Sequence, residues 1–339
     1  SLSLFFSMSQ KLAMAWLAAA ALAMMLVAIL TFSKLPKPES KSGTILRIGS
    51  ALAGRVFQLT TPRDGVSVRQ TTVQHCEVDL PMLAASPHAA LVQRAERLLE
   101  AGDSAFPFVT EAGYNISLVE ARAVDQTVKS RMAPGEKMPL CHPSTYDGHS
   151  IARLAEVFMP GAVGQLSQAD AVIDLGAGIG KVLAVVALTT NASGRGIELS
   201  LERYVVGCSV LRLLANTFAR DASIGVQTST VRRFELWQGD LLKPPAELLR
   251  APSQVDGALT FFTYANCLSY GLIEQIMRLV SQNIHPCVRL LTTKAPNTLS
   301  QVHEGLRRSR EQGGFYTLFT RDGDLCRKAV STAPEQQRI

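Results

Sequence analysis

Short runs of apolar residues alternate with longer amphipathic stretches from about residue 149 to the C-terminal end of the chain. The short runs are rich in β-branched and aromatic residues and predict strands, whereas the 3.6-residue spacing of the longer stretches predicts helices. Regular alternation of this kind predicts a doubly wound, mostly parallel sheet. The predicted helices span 149–159, 180–190, 201–219 and 271–283, and the predicted strands span 171–175, 194–198, 233–238, 257–263 and 288–293.

The two ends of this region are patterned differently. Residues 315–320 and 325–330 flank Asp322-Gly323, which predicts a C-terminal antiparallel hairpin. Upstream, short strand-like runs that include 66–73 and helices over 87–101 and 116–129 predict an accessory N-terminal region. The predicted domains are an N-terminal segment 1–35, a linker 36–43, the accessory α+β region 44–148, a catalytic domain 149–332 and a tail 333–339.

Residues 12–32 form an uninterrupted apolar run without charge. The run is long enough to cross a bilayer, which needs about 20 residues, and it exceeds the apolar core of a cleaved signal peptide. We therefore expect a retained transmembrane helix.

Three lysines, Lys34, Lys37 and Lys41, follow the apolar run and only Lys11 precedes it. By the positive-inside tendency this predicts a membrane-anchored protein whose catalytic domain faces the cytosol. A nuclear location is the alternative if the N-terminal segment is absent from the mature protein.

The composition limits which kinds of protein the chain can be. With 339 residues, 47% of them hydrophobic, the chain can bury one large core. Its net charge is +6, and its basic residues are too scattered along the chain to indicate a nucleic-acid-binding surface. The cysteines contain no C-x-x-C pair, which predicts no metal site and mainly reduced thiols in the core. They are Cys76, Cys141, Cys208, Cys267, Cys287 and Cys326.

The clearest motif is Asp174 followed by Gly176, Gly178 and Gly180 at every second position. Glycine permits positive φ and a close approach of ligand to backbone. A dinucleotide fold would need glycine where Lys181 stands, so the spacing argues against NAD. The motif resembles the D-x-G-x-G-x-G loop of class I S-adenosylmethionine-dependent methyltransferases. That resemblance implies that Asp174 and the loop, with Ala177 and Lys181, hold the methionine end of the cofactor.

Two further acids follow later strands. Glu198 ends the next strand, where a carboxylate can accept hydrogen bonds from both ribose hydroxyls. Asp240 follows the strand that ends at 238, where it can accept from the adenine amino group while Leu241 packs on the ring.

The segment 266–271, Asn-Cys-Leu-Ser-Tyr-Gly, resembles the N-N-F-A-F-G element of the disruptor-of-telomeric-silencing family, the non-SET histone lysine methyltransferases. Segments 174–180, 196–198, 239–241 and 294–296 resemble that family's other elements in the same order. The resemblance implies that Asn266 touches cofactor and acceptor, and that Tyr270 walls a lysine channel. Tyr146 stands in a Tyr-Asp-Gly loop where the family has Tyr-Gly-Glu, and Lys181 replaces a glutamine.

These features predict a methyltransferase that transfers a methyl group in line to a neutral lysine amine of a basic protein such as a histone or nucleosome. A membrane-anchored small-molecule or lipid methyltransferase is the alternative, favoured by the apolar segment. A non-catalytic protein with the same fold is a third hypothesis, motivated by Lys181 and the altered Tyr146 loop. The pattern gives no indication of the oligomeric state.

Overall fold

A computed structural model describes residues 74–100, 106, 116–132, 134–135, 150–221, 224, 226–250, 257–293, 305–312, 315–321 and 326. The helices are α1 (His88–Leu99), α2 (Leu118–Arg131), α3 (Ile151–Phe158), α4 (Lys181–Thr189), α5 (Leu201–Arg220), α6 (Ala246–Leu249) and α7 (Tyr270–Ser281). The strands are β1 (His75–Leu83), β2 (Ala171–Leu175), β3 (Ser193–Glu198), β4 (Val226–Gln238), β5 (Leu259–Thr263), β6 (Val288–Thr292), β7 (Leu306–Gln312) and β8 (Tyr316–Arg321).

The strands form one sheet in the order β1-β4-β3-β2-β5-β6-β8-β7. Strands β4, β3, β2, β5 and β6 are parallel, whereas β1, β8 and β7 run antiparallel to their neighbours. Strand β2 pairs with β3 on one side and β5 on the other, so the strand order reverses there. The predicted doubly wound sheet is confirmed.

Each strand divides its side chains between two cores because alternate residues point to opposite faces. Val172, Phe262 and Leu291 join the core under α1, α3, α4 and α5. Ile173 and Phe261 join the core on the other face, under α6 and α7. Every residue of α4 after Lys181 is buried, which explains why its sequence is almost wholly apolar.

The N-terminal part of the described chain belongs to the same sheet. Strand β1 pairs along β4 from His75 to Leu83, and α1 packs against α3 and α4. The described residues all lie within one compact unit, Gln70–Ile339. The sheet therefore extends past the predicted domain boundary at 149. The predicted strand 66–73 lies outside the described residues.

The C-terminal antiparallel pair is present but is built from different residues than predicted. Strand β8 pairs with β7, which precedes it, and Gln312 lies opposite Tyr316. The predicted hairpin about Asp322-Gly323 is therefore wrong, since β8 has β6 and β7 as its neighbours. Strand β7 has the sequence LRRSREQ and lacks the apolar alternation that would have identified it.

The predicted transmembrane segment 12–32 lies outside the described residues. Among the residues that the structure describes, no helix is long and apolar enough to cross a membrane.

Four of the cysteines predicted to be reduced are instead paired. Cys76 of β1 is bonded to Cys208 of α5, and Cys287, which precedes β6, is bonded to Cys326. The partners are 132 and 39 residues apart, so only the fold brings them together. The prediction of reduced thiols is wrong at these positions because sequence spacing does not reveal pairing of this kind.

Arg232 of β4 is a buried cation that joins three elements. Its guanidinium donates to Pro81 O of β1 and to Ala187 O and Thr190 O at the C-terminal end of α4. The Phe218 and Phe234 rings lie 5.9 and 5.5 Å from its central carbon. Burial lowers the pKa of Arg232 to about 9. The carbonyls compensate a positive charge at the end of a helix that carries partial negative charge.

Replacing Arg232 with lysine should lower the free energy of unfolding by about 2–4 kcal/mol, because an ammonium cannot satisfy all of these carbonyls. Urea denaturation followed by circular dichroism measures the change. Arg233→Lys is the matched control, since Arg233 is exposed and makes surface ion pairs with Glu77 and Asp79. The control should lose less than about 1 kcal/mol. Equal losses at both positions would contradict the role given to Arg232.

The chain, when expressed through a secretory route and denatured without reductant, should leave Cys76, Cys208, Cys287 and Cys326 unlabelled by iodoacetamide. The same four residues should be labelled after reduction, because alkylation requires a free thiol. Peptide mass spectrometry measures both states. Labelling of any of the four before reduction would contradict the pairing.

Candidate active site

The candidate site lies where β2, β3 and β5 end. Ligands of open α/β sheets bind beyond the carboxyl ends of the strands, at the point where the strand order reverses. In this sheet that point is the gap between β3 and β5 beyond the end of β2. Thr263 at the end of β5 donates through its hydroxyl to Leu175 O at the end of β2, 3.2 Å away, and joins the two strand ends.

The loop after β2 has the backbone geometry that its glycines predict. Gly176, Gly178 and Gly180 have φ values of +87°, +55° and +78°, a region that residues with a Cβ rarely adopt. A Cβ on Gly178 would meet nothing within 4 Å, so that backbone faces open space. The loop also rests on α5, because Gly180 would place a Cβ 3.7 Å from the Gly207 Cα. The loop therefore offers bare backbone to a ligand and a fixed base beneath it.

Glu198 at the end of β3 joins the glycine loop to the start of α5. One carboxylate oxygen accepts from Gly178 N at 2.8 Å and the other from Ser200 N at 2.9 Å. Each oxygen keeps a second lone pair, since a carboxylate offers about four acceptor positions. Glu198 is thus held in place and can still accept hydrogen bonds from a diol.

Asp174 is almost completely buried at the end of β2. Burial, with a smaller contribution from the negative charge of Glu198, raises the pKa of Asp174 to about 8. Burial also raises the pKa of Glu198, while the nearby Arg203 of α5 acts in the opposite direction. A buried acid that resists ionisation is stabilised when a cation binds beside it. A cation bound beside Asp174 would therefore lower its pKa and favour the ionised carboxylate.

Helix α2 crosses to this edge and exchanges caps with α5. Ser117 N at the start of α2 donates to Glu202 Oε2 of α5 at 2.6 Å. Leu201 N at the start of α5 donates to Glu120 Oε1 of α2, also at 2.6 Å. Ser117 and Glu120 have the S-x-x-E spacing of a capping box, in which the acid would normally return to its own helix. Each helix instead supplies the carboxylate that caps the other.

The far end of α2 contacts the loop after β4. Arg131 donates to Asp240 Oδ2 through Nη2 at 2.7 Å and through Nε at 3.1 Å. The other oxygen, Asp240 Oδ1, accepts from Leu242 N at 2.9 Å. Leu241 lies next to the glycine loop, 3.9 Å from the position of a Cβ on Gly176. The structure therefore brings Asp240 and Leu241 to the site and adds an arginine to them.

The segment after β5 supplies an amide and aromatic rings. Asn266 Nδ2 donates to the Tyr264 hydroxyl at 2.8 Å. Tyr270 begins α7 and is 56% exposed. Tyr316 of β8 is buried, and the neighbouring Tyr264 contributes to its raised pKa after burial itself. Tyr146 lies outside the described residues, as does segment 294–296, so their predicted roles stay predictions.

Four residues of this site were not predicted from the sequence. Arg131, Glu120 and Ser117 come from α2, and Arg203 comes from α5. The S-x-x-E pattern at Ser117 and Glu120 is typical of a helix start, but it does not reveal that the Glu120 carboxylate caps a different helix. Among the predicted residues, Asp174, Gly176, Ala177, Gly178, Gly180, Lys181, Glu198, Asp240, Leu241 and Asn266 all lie in segments at the carboxyl edge of the sheet.

A scan against protein-family models and a search of curated proteins find no match to this chain. Among solved structures, an RNA methyltransferase from Salinibacter ruber in complex with S-adenosyl-L-homocysteine is 17% identical, with 50% of this chain and 87% of that chain covered and a TM-score of 0.29. A SAM-dependent methyltransferase from Aquifex aeolicus is 14% identical, with 51% and 98% covered and a TM-score of 0.30. The phosphoethanolamine N-methyltransferase 2 from Haemonchus contortus in complex with S-adenosyl-L-methionine is 11% identical, with 48% and 30% covered and a TM-score of 0.27. Likenesses at this level carry no argument about the acceptor.

Replacing Asp174 with asparagine should make the fold less sensitive to rising pH. Between pH 4 and 8 native Asp174 holds a proton that the unfolded chain releases, because its pKa rises from 3.8 to about 8 on folding. Wild-type stability should therefore fall relative to the variant by up to about 1.4 kcal/mol per pH unit in this window, and level off above it. Urea denaturation of both proteins from pH 4 to 9 measures the difference. A difference that does not change with pH would show that Asp174 ionises normally.

Proposed function

We propose that this protein is an S-adenosylmethionine-dependent methyltransferase. The observation that carries the proposal is Glu198, whose carboxylate is fixed to the glycine loop through Gly178 N and to α5 through Ser200 N. A held carboxylate beside bare loop backbone fits a ribose diol. The buried acid Asp174 fits the ammonium group at the amino-acid end of the same molecule.

When bound, the cofactor supplies an electrophilic methyl group on a sulfonium. The protein's own contribution is alignment and exclusion of water, so no strong base is needed. Asn266 and Tyr264 stand after β5, where their linked side chains can orient an incoming amine. Tyr270 at the start of α7 stands beside them as a candidate wall of the acceptor channel. An apolar, aromatic surrounding would favour the neutral amine that can attack.

The acceptor proposed from the sequence is a lysine of a basic protein, such as a histone, and it rests on the segment 266–271. A small molecule or a lipid is the second candidate for the acceptor. It is favoured by the disulfides Cys76–Cys208 and Cys287–Cys326, because disulfides are rare in nuclear and cytosolic proteins. The cytosolic orientation predicted from the lysines stays a prediction. The disulfides favour a catalytic domain on the oxidising side of a membrane.

Methyl transfer can be measured with tritiated S-adenosylmethionine and the full chain in detergent, offered nucleosomes, free histones and a membrane lipid extract. We expect label in at least one acceptor, and the labelled acceptor decides between the two candidates. Glu198→Gln should reduce transfer at least 100-fold, because an amide cannot accept from the diol and both backbone donors together.

Glu77→Gln is the matched control for this experiment. Glu77 lies on β1, half exposed, and makes long surface contacts with His75 and Arg233, each at 3.9 Å. The control should transfer methyl groups at the wild-type rate. No transfer to any acceptor, together with no binding of S-adenosylhomocysteine by calorimetry, would refute the proposed function.

A further inference from the structure

The two oxygens of the Asp240 carboxylate receive different numbers of hydrogen bonds. Arg131 places two N–H donors on Asp240 Oδ2, at 2.7 and 3.1 Å. Leu242 N places one donor on Asp240 Oδ1, at 2.9 Å. A carboxylate oxygen has two lone pairs, so Oδ2 is filled and Oδ1 keeps one acceptor position. The carboxylate is therefore held in one orientation with a single position left for a ligand.

Arg131 is itself held by contacts at the end of α2. Its carbonyl accepts from Gln275 Nε2 of α7 at 3.1 Å. Val124 and Val128 on the same helix pack against Leu272 of α7 in a small apolar cluster. The other end of α2 is fixed to α5 by the exchanged caps. The guanidinium is thus delivered to Asp240 by a helix that is anchored along its length.

The remaining acceptor position belongs to the residue directly before Leu241, the side chain expected to pack on the base of the cofactor. Asp240 is followed by Leu241, whose side chain lies beside Gly176 of the glycine loop. Because Leu241 directly follows Asp240, a purine packed on Leu241 can bring its 6-substituent to the loop after β4. An amino group at that position can donate to Oδ1, whereas a carbonyl oxygen would meet a carboxylate and be repelled.

We propose that Arg131 is a positioning residue that makes the site selective for a 6-aminopurine. By filling Oδ2 it leaves Oδ1 as the acceptor for the amino group of adenine. This inference rests on the proposed function, because it assumes that an adenosyl cofactor binds here. It extends that function by assigning recognition of the base to a helix that precedes the glycine loop by about 50 residues of chain.

The test compares the binding of S-adenosylhomocysteine with that of S-inosylhomocysteine, which carries a carbonyl in place of the amino group. Isothermal calorimetry on the full chain in detergent gives both dissociation constants. Wild type should prefer the adenosyl ligand about 30–100-fold, since one hydrogen bond is lost and a repulsion is gained. Arg131→Ala should weaken adenosyl binding about tenfold and reduce the preference below about fivefold. A carboxylate held only by Leu242 N can move away from the base, which weakens both the hydrogen bond to the amino group and the repulsion of the carbonyl. Arg131→Lys should restore part of the adenosyl affinity and part of the preference.

A second variant tests the assignment without disturbing α2. In Asp240→Asn the amide oxygen should face Arg131, because its two charged donors outweigh the single N–H of Leu242, and this puts the amide N–H₂ where Oδ1 was. The preference should then reverse toward the inosyl ligand, because a donor faces its carbonyl. Combining Asp240→Asn with Arg131→Ala should abolish this reversal, since Leu242 N then draws the amide oxygen back to the Oδ1 position.

The control is Arg122→Ala, which removes an exposed arginine from the same helix. It should keep wild-type affinities and preference, and the melting temperatures of all variants should be compared with it. Equal weakening of both ligands by Arg131→Ala, with the preference kept, would overturn the inference, as would a double variant that still prefers the inosyl ligand. Failure of wild type to bind either ligand would instead refute the proposed function.

Discussion

The structure depends on how the two ends of α4 are held. Its N-terminal end starts at the glycine loop, which Glu198 ties to β3 and α5 through two backbone hydrogen bonds. At its C-terminal end, the carbonyls of Ala187 and Thr190 accept from the buried guanidinium of Arg232. The carbonyl groups at this end would otherwise lack partners. A carboxylate and a guanidinium therefore fix one helix between them, and the helix fixes the loop that faces the ligand.

Most of the sheet could be predicted because its central strands are buried and its helices turn an apolar face to the core. Strand β2 is apolar except for Asp174 near its end, and helix α4 is apolar between Lys181 and Thr189. The observed ends of both agree with the prediction within one residue. The errors concern strands that form because they pair with a neighbouring strand, and not because their own sequence alternates apolar and polar residues. Strand β4 begins at Val226, seven residues before the predicted start, and its polar first half pairs with β1. Strand β7 carries three arginines and is a strand only because β8 lies beside it.

In the candidate site, too, the residues that follow from local sequence were predicted and the partners supplied by distant elements were not. Asp174, the three glycines and Glu198 were predicted because they stand at or just after the end of a strand, where parallel strands bring their ends together. Asp240 was predicted as a free acceptor, but the structure pairs it with Arg131 from a helix more than 100 residues earlier in the chain. No local spacing connects these two residues. The disulfides were missed for the same reason, since a cysteine's partner is decided by the packing of distant elements.

The exchanged caps of α2 and α5 have a consequence for how the edge of the sheet opens. A capping carboxylate on its own helix would stay in place if the helix moved away, and the amide would remain satisfied. Here Glu120 and Glu202 each serve the neighbouring helix, so separation of α2 from α5 breaks both hydrogen bonds in one event. A partial separation of α2 from α5 would therefore lose both hydrogen bonds without freeing either helix. The two helix starts behave as one cooperative unit that is either joined or apart.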